Sequence, residues 1–309
     1  MPLHQHTPGL RGADLLAALA SGPGCVTDHL NLNSSNLTVL PEVLRGCPKA
    51  RVLSVYDNQL QNLPDWLWTF THLHTLNLSA NVLANLPDAL GNLTTLCMLD
   101  LGHNALTHLP NVFDSLTVLE FLYVSNNSLT QLPSSLRHLK GLHYLNVTDN
   151  ALKHLPAWIG ELRGMQEFRA YNNALTTLPE GIGKLINLRE LHVMNNQLQT
   201  LPDTLGKCVS LEKLMLQGNE LTHLPETLGE LGSLTELDLR FNELTTLPQG
   251  LNHLVSLRFL DLRANALAVL PEGLADLPNL EKLDVRWNRL TKLPSALSEL
   301  RERGCLIYV

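Results

Sequence analysis

Leucines in this chain recur in one pattern: leucine-any-leucine, an asparagine three positions later, then leucines two and five residues beyond it. A proline follows the last of these, at positions 41, 64, 87, 110, 133, 156, 179, 202, 225, 248, 271 and 294, a step of 23 residues with no insertion. The leucine-any-leucine alternation predicts a short strand with one buried and one outward face. Strands one repeat apart stack as a parallel sheet. The following "LPxxLGxL", as in Leu224 to Leu231, returns the chain behind the sheet, and its proline opens a short helix or 3₁₀ turn where an N–H is not needed. One repeat cannot enclose a core, but stacked repeats can. The pattern predicts an α/β repeat solenoid over 26–309, about twelve coils of 23 residues plus a terminal strand.

Both ends depart from the repeat. In the segment 1–25, Ala13 to Ala20 reads as a short capping helix that lays Leu15, Leu16 and Leu19 over the first coil. At the other end "GCLIYV" places Leu306 and Tyr308 in register with the strand leucines, within a thirteenth strand.

The asparagines at 58, 81, 104, 127, 150, 173, 196, 219, 242, 265 and 288 keep the same step, with Ser35 at the first equivalent place. Where a strand turns into the interior its backbone groups leave the ladder, and a carboxamide offers both a donor and an acceptor to them. Asn58, Asn81, Asn104, Asn127, Asn150, Asn173, Asn196, Asn219, Asn242, Asn265 and Asn288 are therefore read as a structural ladder, not as catalysts.

The variable strand positions lie two, four and six residues before each asparagine, on the outward face. Four of the five tyrosines, Tyr56, Tyr123, Tyr144 and Tyr171, fall there, as do Met98, Met194 and Met215 of five methionines. Tyrosine, methionine and arginine are favoured at interface centres. Phe121, Arg169 and His192 join them as candidate partner-binding residues. Packing of the aromatics on each other along the sheet is the alternative. Asp238, Asp261 and Asp284 form one column and Arg240, Arg263 and Arg286 another. The columns pair as a structural ladder, or the arginines bind an acidic partner segment.

Composition narrows the field. A net charge of −7 with sequence pI near 6 gives no general attraction to nucleic acid or to an anionic membrane. No apolar run approaches the ~20 residues of a bilayer span. Five cysteines are scattered without a metal-binding or redox pair, which favours a reducing, cytoplasmic setting; Cys25 and Cys47 bracket the first repeat and would be bridged on export. Six N-x-S/T sequons, including Asn77 and Asn146, follow from an asparagine-rich repeat and carry little weight. His72 and His74 lack a visible metal partner, and phosphate-loop, hydrolase, metalloprotease and kinase motifs are missing. No cofactor, no metal and a monomeric state are expected. An enzyme built on Glu190 and His192 is the reading from another class, opposed by the open face.

The motif "LPxxLGxLxxLxxLxLxxNxLxxLP" resembles the 23-residue class of leucine-rich repeats, over roughly residues 26–309. That class occurs in plant intracellular Ras-group proteins, in animal Ras-pathway scaffolds and in bacterial repeat proteins, some of them type III secreted effectors. The resemblance implies a right-handed horseshoe with a concave parallel β-sheet and short helical or 3₁₀ convex segments. It implies a non-enzymatic scaffold or adaptor that binds a protein on the concave face. A bacterial effector acting on host signalling proteins is the alternative, and the partner's identity does not follow from the fold.

Overall fold

The computed structural model describes residues 10–21, 25 and 27–309. They divide into two compact units: the described residues up to Leu129 with Pro133–Leu142, and Thr130–Leu132 with His143–Val309.

The first unit opens with helix α1, Gly12–Ser21. Its strands are β1 (His29–Asn31), β2 (Val52–Ser54), β3 (Thr75–Asn77), β4 (Met98–Asp100) and β5 (Phe121–Tyr123), parallel and side by side in chain order. The pairing sets Leu30, Leu53, Leu76, Leu99 and Leu122 in one row, all fully buried. Of the helix leucines, Leu15 and Leu19 are buried against the first coil, while Leu16 is only half-buried because it lies off that face. Cys25 and Cys47 form a disulfide. This is the pair that brackets the first repeat and that the sequence singles out for bridging on export, while Cys97, Cys208 and Cys305 stay free thiols.

The second unit carries β6 (Tyr144–Asn146), β7 (Glu167–Arg169), β8 (Glu190–His192), β9 (Lys213–Met215), β10 (Glu236–Asp238), β11 (Phe259–Asp261), β12 (Lys282–Asp284) and β13 (Leu306–Tyr308), again parallel in chain order. Behind these strands run short 3₁₀ segments, such as Asp203–Lys207 after Pro202 and Glu226–Glu230 after Pro225. Pro202, at φ −69° and ψ 142°, occupies the position before the first turn, where its ring fits and no donor is lost.

The last strand departs from expectation. Leu283 pairs with Ile307, so Leu306 and Tyr308 face outward beside Lys282 and Asp284. The last return stretch folds as a short α-helix, α2 (Leu297–Glu302), and the step from Leu283 to Ile307 is 24 residues where earlier steps are 23. With a side-chain period of two, one added residue turns the whole strand over.

Candidate functional site

The outward strand face rests on the asparagines beneath it. Asn242 donates through Nδ2 to Leu216 O at 3.1 Å and Leu239 O at 2.9 Å, and its Oδ1 accepts the Leu221 N–H at 3.1 Å. Asn81, Asn104, Asn127, Asn173, Asn196, Asn219, Asn265 and Asn288 repeat this arrangement. Asn58 makes it with the first coil, accepting from Leu37 and Ser35, and Asn150 donates to Val147 O and Thr148 O. The residue before each of these asparagines has positive φ, from Asp57 at 58° to Trp287 at 60°.

In the first unit the outward face is nearly uncharged. Tyr56 is exposed and Phe121 and Tyr123 are half-buried, with Asn33, Ser54, Asn77 and Ser79 hydrogen-bonded among them. Its one carboxylate, Asp100, is pushed above the usual range by burial, against the Gly102 N–H and Ser79 bonds that pull it down.

In the second unit charges alternate and compensate. Arg169 bonds Glu167 and lies 5.9 Å from the Tyr144 ring centre. Glu190 contacts Lys213 Nζ at 2.9 Å and His192 Nε2 at 3.0 Å. Burial pushes the Glu190 carboxyl up, but bonding to Lys213 and His192 outweighs it and the net shift is downward. Glu167, Glu190 and His192 offer ligand atoms within 4.8 Å of one another. Both carboxylates are already held by Arg169 and Lys213, so a cation would have to displace two native partners. The same pairing holds His192 in place and leaves it without a free base beside it. Tyr171, Met194 and Met215 stand half-buried between these pairs.

Toward β12 the acidic and basic columns pair chiefly within repeats. Arg240 Nε lies 3.0 Å from Asp238, Arg263 Nη2 2.6 Å from Asp261, and Arg286 Nη2 2.7 Å from Asp284, with one cross-repeat contact, Arg263 to Asp284, at 3.5 Å. Asp284 is fully buried. Burial raises its pKa, yet the Arg286 side chain, the Arg286 N–H and the charges of Arg286 and Arg263 carry it below the ordinary range. Asp238 shifts the other way: burial dominates, with Asp261 adding repulsion against the bonds and charge of Arg240.

The twelve candidate residues thus fall on two surfaces, Tyr56, Phe121 and Tyr123 on the first unit and the other nine on the second. The sequence columns omitted the most exposed aromatics of the second unit, Phe241 and Trp287, because these sit one residue before the ladder asparagine, outside the strand alternation.

Family comparison matches a leucine-rich repeat region over residues 134–247 and leucine rich repeats over 71–129 and 232–290. No curated protein matches the chain. Among solved structures, a leucine-rich repeat protein of Leptospira interrogans is 32% identical with a TM-score of 0.85, over 91% of this chain and 72% of that one. The ectodomain of a plant membrane receptor kinase from Arabidopsis thaliana, in complex with CASPARIAN STRIP INTEGRITY FACTOR 2, is 27% identical with a TM-score of 0.71, over 90% of this chain and 37% of that one. The FLRT2 repeat domain, in a complex with Latrophilin 3 and Unc5D, is 26% identical with a TM-score of 0.69, over 85% and 82%.

Proposed function

This chain belongs to the leucine-rich repeat family, and from that premise we propose that it is a non-enzymatic protein-binding module whose partner docks on the outward faces of its strands. The observation that carries the reading is the second unit's face. Tyr171, Met194 and Met215 present large, half-exposed side chains among ion pairs that already neutralise one another. A partner covering such a face desolvates paired charges rather than isolated ones, at less cost. The residues sit on strands tied together by the asparagine amides, so little ordering is needed on binding. The receptor ectodomain and FLRT2 were solved with protein partners, which supports the same use here.

A Tyr144/Tyr171→Ala variant, checked for native circular dichroism, is expected to lose the partner that the wild-type chain retains in a pull-down. Equal retention by the two would move the interface off the tyrosines.

For the setting in which it works, the disulfide favours export to an oxidising compartment over a cytoplasmic one, whether bacterial or host. Cys25–Cys47 closes a loop of the kind kept in oxidising compartments, whereas reducing cells keep thiols free. No helix among the described residues is long and apolar enough to cross a membrane. Denatured without reductant after isolation from its own cells, the chain is expected to label at Cys97, Cys208 and Cys305 alone. Denaturation is required because burial pushes the Cys208 thiol up to about 12 and leaves it inert in the fold. Labelling of Cys25 and Cys47 as well would return the protein to a reducing compartment.

A further inference from the structure

Twelve residues that precede the ladder position or its first equivalent share a left-handed backbone, and most are residues that tolerate it: Asp57, His103, Asn126, Asp149, Asn172, Asn195 and Gly218 among them. Phe241 (φ 56°) and Trp287 (φ 60°) do not fit that preference. Burial repays a bulky aromatic little there, since Phe241 is 56% and Trp287 65% exposed. Strain held with little compensating burial points to a use outside the fold.

The two rings occupy one column with Ala264 (φ 52°) between them. The Phe241 N–H bonds Arg263 O at 2.9 Å and the Ala264 N–H bonds Arg286 O at 3.0 Å, so the column keeps the sheet spacing. The backbones of Phe241 and Trp287 are therefore about 10 Å apart, two strand spacings, with Ala264 as the small residue between them. A spacing of that order admits one planar or branched side chain above Ala264. Beside it runs the arginine column. Arg286 lies 5.7 Å from the Trp287 ring centre and 5.1 Å from that of Tyr308.

Each arginine is paired with an aspartate; Arg263 and Asp261 are equally exposed, at 19% and 20%, but the two outer pairs are oriented. Side-chain exposure is 31% for Arg240 against 7% for Asp238, and 38% for Arg286 against 0% for Asp284. At both ends of the slot the guanidinium faces an approaching molecule and the carboxylate is beneath it. Arg240 and Arg286 spend Nε and Nη2 on their partners, which leaves Nη1 donors directed to no bonded group.

Resting on the protein-binding reading above, we infer that the Phe241–Ala264–Trp287 slot with Arg240 and Arg286 docks an extended segment of a partner protein. That segment sets an aromatic or large aliphatic side chain between the rings and a carboxylate side chain against the guanidiniums. Charge complementarity selects an acidic segment: a basic one would meet the outward cations, and an uncharged one would leave the donors unpaired.

The test uses a displayed library of random short peptides selected on the wild-type chain. Retained peptides are expected to pair aspartate or glutamate with a neighbouring apolar residue. They are expected to lose about tenfold or more in affinity on a Phe241→Asn/Trp287→Asn variant, a loss typical of interface anchors. Asparagine already occupies this column at Asn126, Asn172 and Asn195, so the variant should fold at least as stably as wild type. Enrichment of basic peptides, or undiminished binding to the variant, would overturn the slot. Peptides that keep affinity for that variant but lose it on Tyr144→Ala/Tyr171→Ala would overturn the slot and leave the strand-face reading standing. No enrichment over an unrelated protein would count against both.

Discussion

Gly206→Ala is expected to cost about 3 kcal/mol or more of stability, while Gly232→Ala, in the turn that follows the next 3₁₀ segment, is expected to be neutral or slightly stabilising. The two substitutions add the same methyl group to the same kind of return segment. At Gly206 an added Cβ would sit 2.2 Å from the Thr227 carbonyl oxygen; at Gly232 it would meet nothing within 4 Å. The obstacle at Gly206 is backbone of the next coil, which cannot rotate away as a side chain would. Gly183 faces Thr204 O at 2.2 Å and Gly229 faces Gly250 O at 2.1 Å in the same manner. Glycine in "LPxxLGxL" is thus set by neighbouring 3₁₀ segments that pack backbone against backbone, and a side chain there would wedge two coils apart. Urea unfolding of the two variants checks this: matching midpoints would show that the coils separate without strain.

That glycine illustrates what was readable in the chain and what was not. The 23-residue step, the buried leucine row and the prolines at the 3₁₀ starts are local properties of each repeat, so spacing alone exposes them. β13 defeated the same logic because α2 consumes one more residue than a 3₁₀ segment, and nothing in "GCLIYV" announces the count. The pairing of Cys25 with Cys47 depends on the closure of the first coil, which sequence offers only as one option among several. On the outward face, the columns located Arg240, Arg263 and Arg286 but not their orientation. That Asp284 would be wholly buried while Arg286 covers it depends on side-chain packing across neighbouring strands. Phe241 escaped for another reason: exposure at a left-handed position is a property of backbone torsion, and hydrophobic periodicity has no term for it.

Asn219→Ala is expected to destabilise the chain by about 2 to 4 kcal/mol, by leaving several backbone groups unpaired at once. The Asn219 amide is 7% exposed; it donates to Val193 O at 3.0 Å and Leu216 O at 2.8 Å, and its oxygen accepts the Leu198 N–H at 3.1 Å. Alanine removes all three bonds in a place that water does not reach. Asn219→Asp discriminates this account from a simple loss of packing, since it keeps the shape and the acceptor for Leu198 while setting a carboxylate against two carbonyl oxygens. It should therefore be no better than alanine at neutral pH and recover in part on acidification, when a protonated acid can again donate one bond. Asn187→Ala supplies the contrast: that side chain is exposed and makes one bond, to Arg163 O at 2.9 Å, so its loss should stay within about 0.5 kcal/mol. Chemical denaturation of the three variants reads the outcome. Were Asn219→Ala to match Asn187→Ala, the recurring asparagine would owe its place to something other than the backbone it touches.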